Sequence, residues 1–153
     1  MNKEALFSHN TDDWATPKYI YNHFINDLKC VDPCPLYCQE DNTGKIYNKN
    51  LFINPPYSKI EKWVDFIKLN IFTCKTIFLL IPARTDTTYF HNLMNTPYCQ
   101  ITLYFIKGRL QFGDSKKSAP FPSVLIRVTY YKYAIIHPLI NVRFITKEDI
   151  ANI

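Results

Sequence analysis

Apolar residues along this chain form two patterns that alternate. Leu51-Phe52-Ile53 and Thr76-Ile77-Phe78-Leu79-Leu80-Ile81 are unbroken runs. Runs of this kind are expected where both faces of a strand are covered. Residues 101–106 and 123–131 read as further strands, the second with Val124, Ile126 and Val128 on one face. Between these runs the apolar positions return every three or four residues. Ile20, Phe24 and Leu28 predict a helix over 17–28, and Ile60, Trp63, Val64 and Ile67 predict one over 58–70 with a single apolar stripe. A shorter helix is predicted over 87–94, stopped by Asn95-Thr96-Pro97. Strands alternating with helices point to an α/β domain with a mostly parallel sheet.

The joints carry fitting residues. Thr16-Pro17 reads as an N-cap followed by proline at the first helical position. Ser58 with Glu61 three residues later has the spacing of a capping box, and Thr85 or Asp86 can cap the helix over 87–94. Cys30-Val31-Asp32 reads as a short strand ending in an acid. Glu40-Asp41-Asn42-Thr43-Gly44 is a polar turn. The gap from Asp32 to Asn54 leaves no room for an extra strand and helix, so a trimmed sheet is expected. Residues 1–13 show no periodicity and are expected to cover a surface or stay mobile. Thr146-Lys147-Glu148-Asp149 looks like a capped helix start, and nothing in residues 132–153 suggests a function.

At 153 residues, with 47% apolar and 16% aromatic content, the chain suits one folded domain over 1–153. No apolar run approaches the length of a membrane span, and Met1-Asn2-Lys3-Glu4 lacks a signal-peptide layout, so a protein of the cytoplasm is expected. The formal charge of +5 permits contact with a polyanion without requiring it. Lys107, Arg109, Lys116 and Lys117 cluster with only Asp114 against them, close to Phe112 and Phe121. This marks 107–122 as a candidate nucleic-acid-contacting loop, although a solvated charged loop would look the same. The five cysteines are an odd count, which excludes a complete disulfide framework, and Cys30, Cys34 and Cys38 lack the second pair of a usual zinc site.

The candidate chemistry lies in Asn54-Pro55-Pro56-Tyr57, on a stiff loop at the carboxyl end of a strand, the edge where open α/β sheets bind ligands. Asn54 offers a carbonyl acceptor, Pro55 a backbone carbonyl and Tyr57 a ring face for a planar base. An exocyclic ring amine is a poor nucleophile because its lone pair is drawn into the ring. Two fixed acceptors on its hydrogens would localise that lone pair, and rigid prolines would preorganise them. A simple Pro-rich turn after a strand would use the same residues.

Asn54-Pro55-Pro56-Tyr57 is similar to the motif of the amino-methyltransferases acting on adenine N6 or cytosine N4 in DNA. Trp14-Ala15-Thr16-Pro17, Val31-Asp32-Pro33-Cys34, residues 52–63 and 80–87, Phe105-Ile106-Lys107-Gly108-Arg109-Leu110 and Ala119-Pro120-Phe121-Pro122-Ser123 resemble, in order, pieces of the compact phage-type DNA N6-adenine methyltransferases. The resemblance implies a single-domain class I (Rossmann-like) methyltransferase fold, α/β, with a trimmed, mostly parallel sheet and antiparallel strands toward the C-terminus. It implies methyl transfer from S-adenosylmethionine to a flipped-out adenine in double-stranded DNA, with Asn54, Pro55, Pro56 and Tyr57 catalytic. Thr16, Pro17, Asp32 and Pro33 would hold the cofactor. Of the acids near its ribose or adenine, Asp41 is taken, with Glu40 an open alternative. Arg84, Lys107, Arg109, Lys116 and Lys117 would meet DNA, and no metal is implied. Most methyltransferases have a Gly-rich turn where this chain has Asp32-Pro33-Cys34; its three glycines all lie beyond Thr43. A DNA-binding relative that no longer methylates, or an enzyme acting on RNA adenine, would carry many of the same residues. The source implied is a phage or prophage in a bacterial cytoplasm.

Overall fold

The computed structural model describes residues 14–153; the expectation for residues 1–13 lies outside the described residues. Among the described residues five strands form one sheet: β1 Leu51–Ile53, β2 Thr76–Pro82, β3 Cys99–Ile106, β4 Ser123–Tyr130 and β5 Leu139–Ile145. Their order is β1-β2-β4-β3-β5. β1 pairs parallel with β2, with Phe52 opposite Phe78, and β3 pairs parallel with β5. β4 runs antiparallel to both β2 and β3. The sheet is therefore mixed, and β4 is its one reversed strand. The expectation of antiparallel strands toward the C-terminus holds for β4 and fails for β5, which returns to the common direction.

Helix α1, Lys18–Tyr21, continues as a π-helical turn over Asn22–Asp27. Helix α2 spans Ile60–Cys74 and α3 spans Thr88–Met94. The apolar stripe of α2 packs with α3 on one face of the sheet, where Trp63, Ile67, Phe90 and Leu93 meet Ile77, Leu79, Ile81, Ile126 and Val128. On the other face Phe24 lies flat on Phe52, ring centroids 4.7 Å apart, and Leu80, Leu110, Phe112, Phe121 and Ile150 complete a second layer. Alternate residues of β2 feed the two layers, which is why its run of apolar residues is unbroken.

Several joints differ from the local pattern. Val31 makes a single parallel bridge to Leu51 in place of a strand. The Ser58–Glu61 capping box is not the start of α2: a turn of 3-10 helix over Tyr57–Lys59 intervenes, and Lys59 is the N-cap. Thr87, not Thr85 or Asp86, is the N-cap of α3. Pro17 is the N-cap of α1, and the Thr16 side chain is used elsewhere. Helix α2 runs past Asn70 to Cys74, where Lys75 at φ 66° ends it. The C-terminal segment forms β5 and a 3-10 turn over Glu148–Asn152, headed by Asp149 accepting from the Thr146 N–H at 2.7 Å. β5 is an edge strand whose Leu139, Ile140, Val142 and Phe144 are exposed. No helix among the described residues is long and apolar enough to cross a membrane.

Strand direction positions the site. The carboxyl ends of Val31, β1, β2 and β3 and the start of β4 share one sheet edge. Asp32, Asn54, Arg84, Lys107 and Phe121 therefore all follow or precede strands at that edge.

Candidate active site

Asn54 leaves β1 directly, and the prolines after it carry the chain across the sheet edge. Pro55 is buried, Pro56 half-buried at ψ 124°, and the 3-10 turn that follows brings the Tyr57 ring back over Asn54. The Tyr57 hydroxyl donates to Asn54 Oδ1 at 3.2 Å. Burial raises the Tyr57 phenol far above its ordinary pKa, with Tyr89 a smaller contributor, so it stays protonated and donates. The other end of the Asn54 amide faces the segment before α1. Nδ2 donates to the Trp14 carbonyl at 2.6 Å and to Thr16 Oγ1 at 3.0 Å. Both amide hydrogens are thereby used, and the side-chain oxygen is turned to the opposite side.

Trp14 is the residue whose part the spacing did not disclose. Its indole lies on the Tyr57 ring, centroids 6.0 Å apart and planes 17° apart. Phe112 and Phe121 stand edge-on to the indole at 5.4 and 5.0 Å. These two phenylalanines were expected to offer stacking faces to nucleic acid. They are buried instead, and with Leu110 and Ala119 they anchor the 107–122 loop in the core. The Gly113 N–H donates to the Ala15 carbonyl at 2.8 Å, where Gly113 adopts φ +60° and an added Cβ would lie 3.5 Å from Ala15 Cβ. The loop is thus tied to the segment that holds Asn54.

A cavity of about 390 Å³ opens beside Asn54, within the size range of small-ligand sites. Thr16, Asp32, Pro33, Asp41, Asn54 and Pro56 line it, together with Tyr21, Asn42, Lys59, Lys62 and Trp63; Pro17, Pro55 and Tyr57 lie outside its lining. Asp32 accepts the Cys34 N–H at 2.8 Å. Burial nevertheless pushes its carboxyl up to about 6, against that hydrogen bond. A cation placed there would restore the ionised form. Cys34 is raised to about 12, first by burial and then by Asp32 and Cys38, with Lys59 opposing, so it is a thiol. Asn42 is buried and donates to the Pro33 carbonyl at 2.9 Å, while its Oδ1 has no partner among the described residues. That oxygen is enclosed by protein, so among the described residues Asn42 acts by tying the polar turn to Pro33. Glu40 and Asp41 both line the cavity, but Glu40 pairs with Lys45 at 3.0 Å and Asp41 accepts from the Thr43 N–H at 3.0 Å. Those Thr43 bonds lower the Asp41 pKa. Asn42, Lys59 and Lys62 were not singled out in the sequence; the polar turn at 40–44 was the signal for the first.

The candidate cations share the sheet edge but not the cavity. Arg84, Lys107, Arg109, Lys116 and Lys117 are exposed, and none of them enters an ion pair among the described residues. Asp114, the one acid of their loop, lies 3.8 Å from Lys18 on an open surface. His91 bonds through Nε2 to the Thr85 carbonyl at 2.8 Å, on the exposed side of α3.

Three comparisons bear on this arrangement. A family model described as DNA N-6-adenine-methyltransferase (Dam) matches residues 3–126, which include the cavity and the Asn54 loop. Searches of curated proteins and of solved structures return no match.

Proposed function

This chain belongs to the DNA N-6-adenine-methyltransferase (Dam) family, and from that premise we propose that it transfers a methyl group from S-adenosylmethionine to N6 of an adenine flipped out of double-stranded DNA. The observation that carries the reading is the Asn54 amide, held by three hydrogen bonds in the cavity lining with its oxygen opposite the two groups that take its hydrogens. We read the mixed sheet as a trimmed class I, Rossmann-like methyltransferase fold forming one domain.

The cavity chemistry fits the cofactor. The half-buried Asp32 beside Pro33 suits a cationic amino-acid tail. Thr16 and Asp41 complete the wall, with Pro17 setting the turn behind Thr16. When bound, S-adenosylmethionine supplies an electrophilic methyl group. Asn54 Oδ1 and the Pro55 carbonyl accept the two N6 hydrogens, drawing the amine toward a geometry in which its lone pair is free to attack. The Pro55-Pro56 backbone keeps those acceptors from relaxing. The N6 proton leaves to solvent once the new bond forms, so no protein base is needed. The adenine takes the place of the Trp14 indole on Tyr57. Lys107, Arg109, Lys116, Lys117 and Arg84 meet phosphates along the same edge.

The test is transfer of labelled methyl to matched double-stranded DNA, single-stranded DNA and RNA. Label in adenine of DNA alone supports the reading. Label in RNA alone moves the substrate, and DNA binding without transfer makes the chain a non-catalytic competitor.

A further inference from the structure

The N-cap signal at Thr16-Pro17 is strong, yet the Thr16 side chain does not cap α1. Its oxygen instead takes a hydrogen from Asn54, thirty-eight positions along the chain. The geometry assigns Thr16, with the Trp14 carbonyl, the task of fixing the Asn54 amide so that its oxygen faces the substrate amine. Thr16 is then a positioning residue for methyl transfer, and this rests on the function proposed above.

An amide side chain can be turned over with little change in shape, exchanging its donor and acceptor ends. Two neighbours set the orientation here. The Trp14 carbonyl is an acceptor only, so at 2.6 Å it must face Nδ2; an oxygen there would oppose another oxygen. The Tyr57 hydroxyl, kept protonated by burial, donates from the other side. Thr16 takes the second Nδ2 hydrogen. With that bond made, the amide has no unpaired donor to present to the substrate, and its oxygen becomes a stronger acceptor because the nitrogen end is donating. A carbonyl oxygen has two lone pairs, so Oδ1 can receive N6–H while Tyr57 remains bonded. The backbone carbonyl of Trp14 can hold Asn54 while the indole swings aside, so base entry does not undo the clamp.

Thr16 also lines the cavity, and a cofactor-holding role is the competing account. Thr16→Val and Thr16→Ser separate the two. Valine keeps the shape and removes the hydroxyl; serine keeps the hydroxyl. The expected result is that Thr16→Val lowers turnover at saturating DNA and S-adenosylmethionine roughly ten-fold or more. S-adenosylmethionine affinity, measured by calorimetry, changes less than about three-fold, since the lost bond is to Asn54. Thr16→Ser retains turnover. In the ligand-free protein, Asn54 side-chain NMR shows Nδ2 protons exchanging slowly in wild type and Thr16→Ser and faster in Thr16→Val. Weaker cofactor binding with unchanged saturated turnover would overturn the assignment, as would a serine variant as impaired as valine or exchange rates indifferent to the substitution. A wild type that shows Thr16-dependent protection but never methylates adenine would keep the bond and remove its role. That outcome rejects the proposed function separately from the geometry.

Discussion

The Trp14 indole lies nearly parallel to the Tyr57 ring, at 6.0 Å between centroids and 17° between planes, beside the face on which the proposed flipped base would stack. On the proposed reading, base entry moves that indole. The chain has two tryptophans, and Trp63, on the sheet-facing side of α2, is buried at 5% exposure. Adding substrate duplex should therefore change the emission of wild type and leave Trp14→Phe, which retains Trp63, almost unchanged. Equal responses in the two proteins would place the moving tryptophan elsewhere.

Asp32 gives the site a pH dependence whose sign is fixed. Its carboxyl is raised from 3.8 to about 6, mainly by burial. The folded chain therefore holds this proton more tightly than the unfolded one. Its contribution to ligand-free stability is present below about pH 3.8 and is lost as pH rises through about 6. A cationic ligand tail acts the other way and favours the carboxylate. S-adenosylmethionine should bind more weakly as pH falls below about 6, with protons released on binding near that pH. Calorimetry in buffers of different ionisation enthalpy measures that release. Asp32→Asn should abolish it.

Lys116 and Lys117 lie exposed beyond the buried Phe112, held by the bond from Gln111 Nε2 to the Lys116 carbonyl at 3.1 Å. If they meet phosphates, replacing both by alanine should weaken DNA binding on every sequence alike. The log–log salt slope should fall by about 0.9 for each lysine that neutralises a phosphate. Cofactor affinity should stay as in wild type. Titrations at several salt concentrations check both points.

Asn70 ties the 45–47 segment to α2 from inside the core. Fully buried, it accepts the Tyr47 N–H at 2.7 Å and donates to the Lys45 carbonyl at 3.0 Å. Asn70→Leu would strand both backbone groups, at a cost of about 1–3 kcal/mol for each one left buried. The melting temperature should fall, and S-adenosylmethionine affinity should fall with it, because 45–47 follows directly on the cavity turn. Thermal melts and calorimetry on the same variant check the pair of effects.

β1 and β2 were legible because burial on both faces leaves them almost wholly apolar, Leu51, Phe52 and Ile53 each being fully buried, whereas β5, exposed along its length, left no such run to read. The apolar stripe of α2 was legible for the matching reason on one face. Helix ends were less so. Ser58 and Glu61 have the spacing of a capping box, but the geometry forced by Pro56 inserts a tighter turn first. Asn70 looked like a helix end and is instead an inward-facing tie. Thr16 shows the general limit: its spacing describes only its neighbours, while its partner lies far along the chain. Phe112 and Phe121 were visible as aromatic residues in a basic loop, but a linear pattern does not tell that they turn inward onto Trp14. The Asn54 loop itself was read correctly as the exit of a buried strand at the sheet edge.

The central claim is that Asn54 presents an acceptor to adenine N6. It is tested most directly by nucleoside mass spectrometry on DNA from methylation-deficient bacteria expressing the wild-type chain or Asn54→Ala. N6-methyladenine is expected with the wild type, and a loss of about a hundred-fold or more with the variant, the scale expected when a preorganised polar contact to the reacting group is removed. N6-methyladenine at equal levels in both samples, or in neither while both chains are folded and expressed, would contradict it.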